Sequence, residues 1–304
     1  MKNEALFGPM RLPFLVLTPA CVLLGVAAAW YSGGSMDLSN MNVLDIILVF
    51  AGALSAHISV NALNEYEDFK SGLDFKTKPT PFSGGSQALV HNPDNAHIAW
   101  ITGVFTLCLC AAIGLYFIYR IGWGIAPVGI AGLLLVVFYT GWATRHPLVC
   151  LIAPGLGFGP LMVMGTAYVL CGAYTMSAFA VSWVVFFLVS NLLLLNQFPD
   201  MEPDREAGRR HLPIVTGRQK SARIYAIFLL CAYLPVIAGC IAGILPLWSL
   251  ICLATLVIGL PLIRGVLQNA EDMPGLIPWM SRNVVLDLLT PILLAIGLFI
   301  GTAA

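Results

Sequence analysis

VLDIILVFAGALSAHISVNALNEYEDFKSGLD, residues 43–74, contains both features that decide how this chain folds. Residues 43–63 form an apolar run in which Asp45 and His57 are the only ionisable groups. A helix rises 1.5 Å per residue, so about 20 apolar residues cross the hydrocarbon of a bilayer. The run therefore predicts a membrane-spanning helix. The remaining eleven residues hold four carboxylates, Glu65, Glu67, Asp68 and Asp74. Carboxylates beside hydrocarbon are costly unless something neutralises them.

The rest of the 304 residues repeats the first feature. Hydrophobic residues make up 59% and charged residues 10%, against about 25% charged in an ordinary soluble domain. Nine apolar runs are long enough to span: 13–32, 43–63, 97–119, 122–140, 150–171, 178–197, 223–243, 245–263 and 284–302. Backbone groups in lipid must bond internally, so these runs predict helices, and no ten-residue alternation suggests a barrel. The expected fold is an all-α integral membrane protein with nine transmembrane helices. MKNEALFGPMR leads into the first run without an A-x-A cleavage site, which predicts a retained helix rather than a cleaved signal.

Net charge is zero, but the charges are unevenly placed. With nine spans, 14 of the 15 Lys and Arg fall at the N-terminus and in the loops after the second, fourth, sixth and eighth helices; only Arg120 lies opposite. The positive-inside rule then puts the N-terminus and those loops in the cytoplasm. The eight cysteines all fall within expected spans and read as buried, inert thiols.

Most loops are short, including 33–42, 141–149 and 172–177, but 64–96 and 198–222 are long and polar. Both open with an Asn and spaced acids: Asn64-Glu65-x-x-Asp68-x5-Asp74, then Asn196-x3-Asp200-x3-Asp204. The repeat, four helices apart, predicts one domain over 1–304 with related halves at 10–140 and 150–264 and a ninth helix at 284–302. Residues three and four apart share a helix face. Asn61, Asn64, Glu65 and Asp68 are thus expected on one face of the second helix. Asn196, Asp200 and Asp204 form a matching stripe on the sixth, while Glu67, Glu202 and Glu206 point to solvent.

A hard divalent cation is the natural neutraliser. Mg2+ takes oxygen ligands and is usually held by one or two carboxylates together with substrate phosphates. Asn64, Glu65, Asp68, Asp74, Asp200 and Asp204 are the candidate ligands, and Asn196 and Asn61 line the same site. Lys76, Lys78 and Arg209 lie beside the acids and are candidates to grip phosphate oxygens. The loop PFSGGSQAL (81–89) adds Ser83 and two glycines whose backbone N–H groups can approach an anion. A polar diphosphate head with an apolar tail fits such a site in a membrane, so a polyprenyl diphosphate is the expected substrate. Mg2+ and the basic groups, with Asp68, Asp200, Lys76 and Arg209 at the centre, would stabilise the departing pyrophosphate. An electron-rich aromatic ring would capture the allylic carbon, with water excluded.

NEYEDFKSGLD (64–74) and NQFPDMEPDREAGRRHLP (196–213) resemble the two aspartate-rich signatures of UbiA-type intramembrane prenyltransferases. PTPFSGGSQAL (79–89), FYTG (138–141) and GFGPLMVMGTAYVLCG (157–172) are similar to the menaquinone-branch members, which prenylate 1,4-dihydroxy-2-naphthoate. The resemblance covers roughly residues 10–300. It implies nine helices around a central cavity, Mg2+ dependence and both acid motifs on cytoplasmic loops. Asn64, Asp68 and Asp74 match the first motif; Asn196, Asp200 and Asp204 match the second. Glu65 departs from it, standing where the family has Asp. The resemblance also makes Tyr139 and Thr140 candidates for contact with acceptor or diphosphate.

Several residues keep two readings. Asp287 is either an intramembrane functional group or half of an interfacial pair near Arg282 and Asn283. His57 either touches the acceptor ring or is a hydrogen-bonded core histidine. Asp45 reads as interfacial, and Arg145, beside His146, follows from charge placement alone. Other acceptors, such as 4-hydroxybenzoate or homogentisate, remain open. A secondary transporter is the rival from another class, although its ion sites belong near mid-bilayer. No D-G-x2-A-R run of the CDP-alcohol phosphotransferases is present. The expected partners are a polyprenyl diphosphate, an aromatic acceptor and a lipid bilayer, with no nucleic acid and no protein. The expected location is a prokaryotic plasma membrane, with the site opening to the cytoplasm.

Overall fold

The computed structural model describes residues 2–33 and 42–303. Most of the expected 33–42 loop lies outside the described residues. Among them there is no strand. The helices are α1 Lys2–Met10, α2 Leu12–Ser32, α3 Val43–Ser71, α4 Ala88–His91, α5 Pro93–Ile121, α6 Trp123–Tyr139, α7 Pro147–Cys171, α8 Met176–Asn196, α9 Met201–Glu206, α10 Leu212–Thr216, α11 Arg218–Ile241, α12 Leu247–Gln268 and α13 Met273–Ala303. Eight of these, α2, α3, α5, α7, α8, α11, α12 and α13, are long and apolar enough to cross a membrane. The fourth expected span is the shorter apolar helix α6. Its 17 residues cover about 25 Å, a little under the hydrocarbon thickness.

Local chemistry sets the ends. Asn42 caps α3 by accepting from the Leu44 N–H at 2.9 Å, and Gly72, at φ 78°, closes it in the left-handed conformation. The helix therefore runs two turns past the expected 43–63 and carries the first acid motif on helical backbone. The second motif differs. Asn196 ends α8, Pro199 interrupts it, and Asp200 precedes the separate turn α9. The expected i, i+4, i+8 stripe on one helix is thus broken, because a proline cannot donate to the helix ladder. At α13 the helix starts eleven residues before 284, with Pro274 in its first turn, where its missing N–H costs nothing.

The core centres on α8. Val181, Val185, Leu188, Leu195 and their neighbours pack against Leu24 and Ala28 of α2, Tyr225 and Leu229 of α11, and Leu286 and Leu294 of α13. Helix α7 approaches α8 backbone to backbone through a Gly-xxx-Gly pair. A methyl on Gly155 would lie 2.2 Å from the Phe186 carbonyl, and one on Gly159 would lie 2.4 Å from that of Ser182. Between Gly157 and Val163, α7 widens into a π-helix containing Pro160. Such bulges recur at functional sites.

The polar loops gather at one end of the bundle. Arg210 N–H reaches the Thr144 carbonyl at 2.9 Å, Gly84 N–H reaches Asp200, and Arg218 bonds the Phe198 carbonyl and faces Glu271 at 3.7 Å. The opposite end holds the Asp45–Arg120 ion pair and the Tyr174 hydroxyl donating to the Gly124 carbonyl. Asp45 is thus paired at the end of the bundle away from the polar loops. Among the cysteines, Cys21, Cys150 and Cys252 are buried, whereas Cys108 is exposed on the apolar surface of α5, so burial is not general.

Candidate active site

One cavity opens at the polar end and runs inward between α3, α6, α7 and α8. Its mouth is lined by Asn64, Asp68, Asp74, Asn196, Asp200, Asp204, Arg209 and Arg11. Its inner walls are apolar, with Val60, Leu135, Val136, Ala153, Phe158, Met162 and Leu193. The two acid motifs, more than 120 residues apart in sequence, therefore face one space.

Arg209 joins them. Its guanidinium pairs with Asp68 Oδ1 and donates to Asp204 Oδ1 at 2.9 Å. The second oxygen of each acid is also engaged. Asn64 donates to Asp68 Oδ2 at 3.0 Å, and His211 Nε2 lies 2.8 Å from Asp204 Oδ2. Asn64 is held in turn by the Thr140 hydroxyl at 3.2 Å. Thr140 itself does not line the cavity, whereas Tyr139, one residue earlier, does.

Asp200 and Asp74 are less satisfied. Asp200 Oδ2 accepts from the Gly84 N–H at 2.9 Å, but Asp200 Oδ1 and Asp74 Oδ2 are buried without a protein partner. Burial first, then Glu65 and Asp68, pushes the Asp74 carboxyl up to about 8. Burial and then Asp204 push Asp200 up to about 7. The excess negative charge and orphaned oxygens suit a hard, oxygen-ligated cation. Among the described residues no three acidic, His or Cys side chains already converge on one point. Arg209 stands between the motifs instead.

The Gly-rich loop is shaped by its glycines. Gly84 and Gly85 have φ of +83° and +71°, a region that L side chains rarely adopt. A methyl on Gly85 would lie 2.9 Å from Asp74 Oδ1. Ser83 lines the cavity and bonds Thr80 at 2.9 Å.

Three expected site residues stand elsewhere. Glu65 is fully buried and is absent from the cavity lining. Its Oε2 receives Arg11 at 3.2 Å, and its Oε1 receives the Ser86 N–H at 2.8 Å and the Ser86 hydroxyl. It anchors the Gly-rich loop to α3. The extra methylene of Glu carries the carboxylate past the cavity to these donors. Lys76 and Lys78 are exposed outside the cavity, and Lys76 pairs with Glu206 at 3.1 Å across the mouth. Long, strongly hydrated ammonium groups stay in water when no buried partner calls them in. Asn61 lines the wall and donates to the Met10 carbonyl at 3.1 Å. Glu67 is exposed, and Glu202 is paired with Arg205 at 2.7 Å.

Two residues were missed. Arg11 reads in sequence as one more positive-inside charge, yet it lines the cavity beside the first motif. His211, seven residues after Asp204, is buried against it with Nδ1 unpartnered. His57 is a buried, hydrogen-bonded histidine that also lines the cavity: it bonds Thr18 at 2.8 Å and stacks edge-on against Phe158. Asp287 is buried and accepts from Asn283 at 2.9 Å; Arg282 instead lies over the Trp279 ring, so the expected Arg282 pair is absent.

An all-helical membrane bundle with two facing acid motifs at the mouth of an apolar cavity describes a membrane enzyme of diphosphate chemistry. Residues 18–275 match the model of the UbiA prenyltransferase family, and the chain belongs to that family. Over 286 residues it is 25% identical to the 1,4-dihydroxy-2-naphthoate octaprenyltransferase of Bacillus subtilis (strain 168), covering 92% of this chain and 87% of that one. Its fold is similar to the apo structure of a UbiA homolog from Aeropyrum pernix K1, with TM-score 0.69 and 16% identity over 95% and 98% of the two chains. It is also similar to a UbiA homolog from Archaeoglobus fulgidus bound to DMAPP and Mg2+, with TM-score 0.57 and 14% identity over 95% and 99%.

Proposed function

We propose that the protein transfers a polyprenyl group from an allylic polyprenyl diphosphate to an aromatic quinone precursor, 1,4-dihydroxy-2-naphthoate, with Mg2+ as cofactor. One observation carries this reading: the two acid motifs and Arg209 meet at the polar mouth of a cavity whose far walls are apolar. The Bacillus subtilis relative supports the acceptor, and the Archaeoglobus fulgidus structure supports both diphosphate and Mg2+.

Asp68, Asp74, Asp200 and Asp204, with Asn64 and Asn196, would hold Mg2+, which when bound would supply positive charge to offset that of the diphosphate and its leaving pyrophosphate. Arg209 and Arg11 supply fixed positive charge beside those oxygens, and the Gly84–Gly85 turn adds backbone donors. The apolar walls exclude water from the allylic carbon as it gains positive charge. Tyr139 and His57, at the boundary of polar and apolar walls, orient the acceptor ring for attack. Carbon–carbon bond formation then displaces pyrophosphate, and loss of the ring carboxylate as CO2 returns the bonding electron pair to the ring and restores aromaticity.

The 14-to-1 split of basic residues that nine spans give supports α6 as the fourth crossing and puts the N-terminus in the cytoplasm. The mouth then opens to the cytoplasm. The halves 10–140 and 150–264 place one acid motif each, and a bacterial relative favours a prokaryotic plasma membrane.

The test is prenyl transfer in liposomes with purified protein, Mg2+ and a polyprenyl diphosphate, run over an acceptor panel. Prenylated naphthoate that disappears with EDTA is expected. Pyrophosphate release with product on another ring would move the acceptor. No Mg2+-dependent turnover of any allylic diphosphate by folded protein would overturn the reading.

A further inference from the structure

After the second acid motif the chain folds back on itself. Helix α9 ends at a turn in which Gly208 takes φ +80°, and the Arg209 N–H donates to the Asp204 carbonyl at 2.9 Å. Residues 209–211 are not helical, and His211 is extended at φ −73° and ψ 169°. The Arg210 N–H ties the segment to the Thr144 carbonyl at 2.9 Å. Side chains two apart in such a segment point to one side. Arg209 and His211 accordingly both return to Asp204, one on each carboxylate oxygen, while Arg210 is exposed.

This pairing fixes the imidazole. Asp204 Oδ1 accepts from Arg209 at 2.9 Å and Oδ2 faces His211 Nε2 at 2.8 Å. The carboxylate accepts on both oxygens, so Nε2 carries the ring proton and the lone pair of the neutral ring is on Nδ1. That nitrogen is buried and has no protein partner, and His211 lines the cavity. Among the described residues, seven buried side-chain oxygens and nitrogens lack a partner, and three belong to residues that line this cavity: Asp74 Oδ2, Asp200 Oδ1 and His211 Nδ1. Two of the three are oxygens suited to a hard cation. The third is a nitrogen on a ring whose other nitrogen donates to a carboxylate. Metal-binding histidines are held in this way, the carboxylate fixing tautomer and ring orientation.

We infer that His211 is a nitrogen ligand of the cation site, oriented by Asp204, and that it gives the site a preference for Mn2+ over Mg2+. The inference rests on the proposed function, which supplies the cation. Mn2+ shares the octahedral, oxygen-rich coordination of Mg2+, but it accepts an imidazole nitrogen more readily than the harder ion. Among the described residues the other histidine lining the cavity is His57, whose Nδ1 is taken by Thr18 at 2.8 Å. Coordination by His211 releases no proton: Nε2–H stays on Asp204 while Nδ1 gives its lone pair to the metal.

Calorimetric titration of Mn2+ or Mg2+ alone into metal-free protein reads the preference. His211→Gln keeps an N–H donor for Asp204 and removes the ring lone pair. Its Mn2+ affinity is expected to fall at least about tenfold and its Mg2+ affinity less than about threefold. Equal losses for the two ions overturn the inference, because His211 then only orients Asp204. A second measurement needs no variant. Electron spin-echo spectroscopy of bound Mn2+ is expected to show a 14N coupling, which is replaced by a 15N coupling when wild-type protein is labelled with 15N-histidine. Bound Mn2+ without this coupling overturns the inference and leaves the oxygen-only site of the proposed function standing. A coupling that His57→Gln abolishes and His211→Gln retains overturns it as well, by assigning the nitrogen to His57. Wild-type protein that binds neither ion, or binds both no more tightly than Asp200→Asn does, overturns the cation site of the proposed function and this ligand with it.

Discussion

Replacing Arg209 with Gln tests whether this guanidinium does the work of a cation between the two acid motifs. Arg209 is 17% exposed and pairs with both Asp68 and Asp204. Removing one partner of a buried ion pair costs about 3–5 kcal/mol, because the other charge is left uncompensated. Here the low end applies, since Asp68 keeps Asn64 and Asp204 keeps His211. At about 2 °C per kcal/mol for a chain of this size, the metal-free variant should melt roughly 6 °C below wild type. Saturating Mg2+ supplies the missing positive charge. At a hundredfold excess over Kd it stabilises by about 2.7 kcal/mol, and in the variant no Arg209 bonds need be displaced first. The gap in Tm, followed by intrinsic fluorescence in detergent with EDTA or Mg2+, should shrink by at least half. Turnover should remain about 10²- to 10³-fold below wild type, since a donor to the leaving group is lost. A Tm gap that Mg2+ leaves untouched would refute the reasoning, because Arg209 would then be structural and the acids no cation site.

Three further outcomes follow from the same geometry. The Asp74 and Asp200 carboxyls sit at about 8 and 7 in the folded protein, above their unfolded value, so the folded state holds more protons between about pH 4 and 8. Metal-free stability should therefore fall as pH rises across that window, while Mg2+ binding tightens and releases protons; calorimetry in buffers of different ionisation enthalpy reads this, and no proton release would contradict it. Glu65→Gln should lower Tm through the lost Arg11 pair yet leave Mg2+ affinity within about threefold, whereas Asp200→Asn should weaken it at least about tenfold. Equal losses in a Mg2+ titration would return Glu65 to the metal site. Lys76→Ala removes a solvent-exposed pair and should cost less than about 1 kcal/mol, under about fivefold in kcat/KM; a larger loss would make Lys76 part of the site.

Most of the bundle was legible because hydrophobic length alone reports a helix in lipid. Asp68, Asp74, Asp200, Asp204 and Arg209 were legible because charge is so rare in this chain that its clusters stand out. The failures have local causes. Pro199 breaks the stripe that spacing predicts across Asn196, Asp200 and Asp204. Glu65 looked like a ligand because spacing puts it on the motif's face. Its direction is decided by Arg11, 54 residues away, and by Ser86, neither of which periodicity can see. Arg11 itself was hidden by a general rule that already explained it. Lys76 and Lys78 were placed by sequence proximity, whereas solvation holds both outside the cavity.

Binding of an allylic diphosphate, measured by calorimetry with and without Mg2+ on wild type, Asp68→Asn and Asp200→Asn, tests most directly whether the two motifs form one site. Binding that needs Mg2+ and weakens at least about tenfold when either aspartate is changed is the expected result. Affinity that is the same without Mg2+, or that survives the loss of either motif, would contradict it.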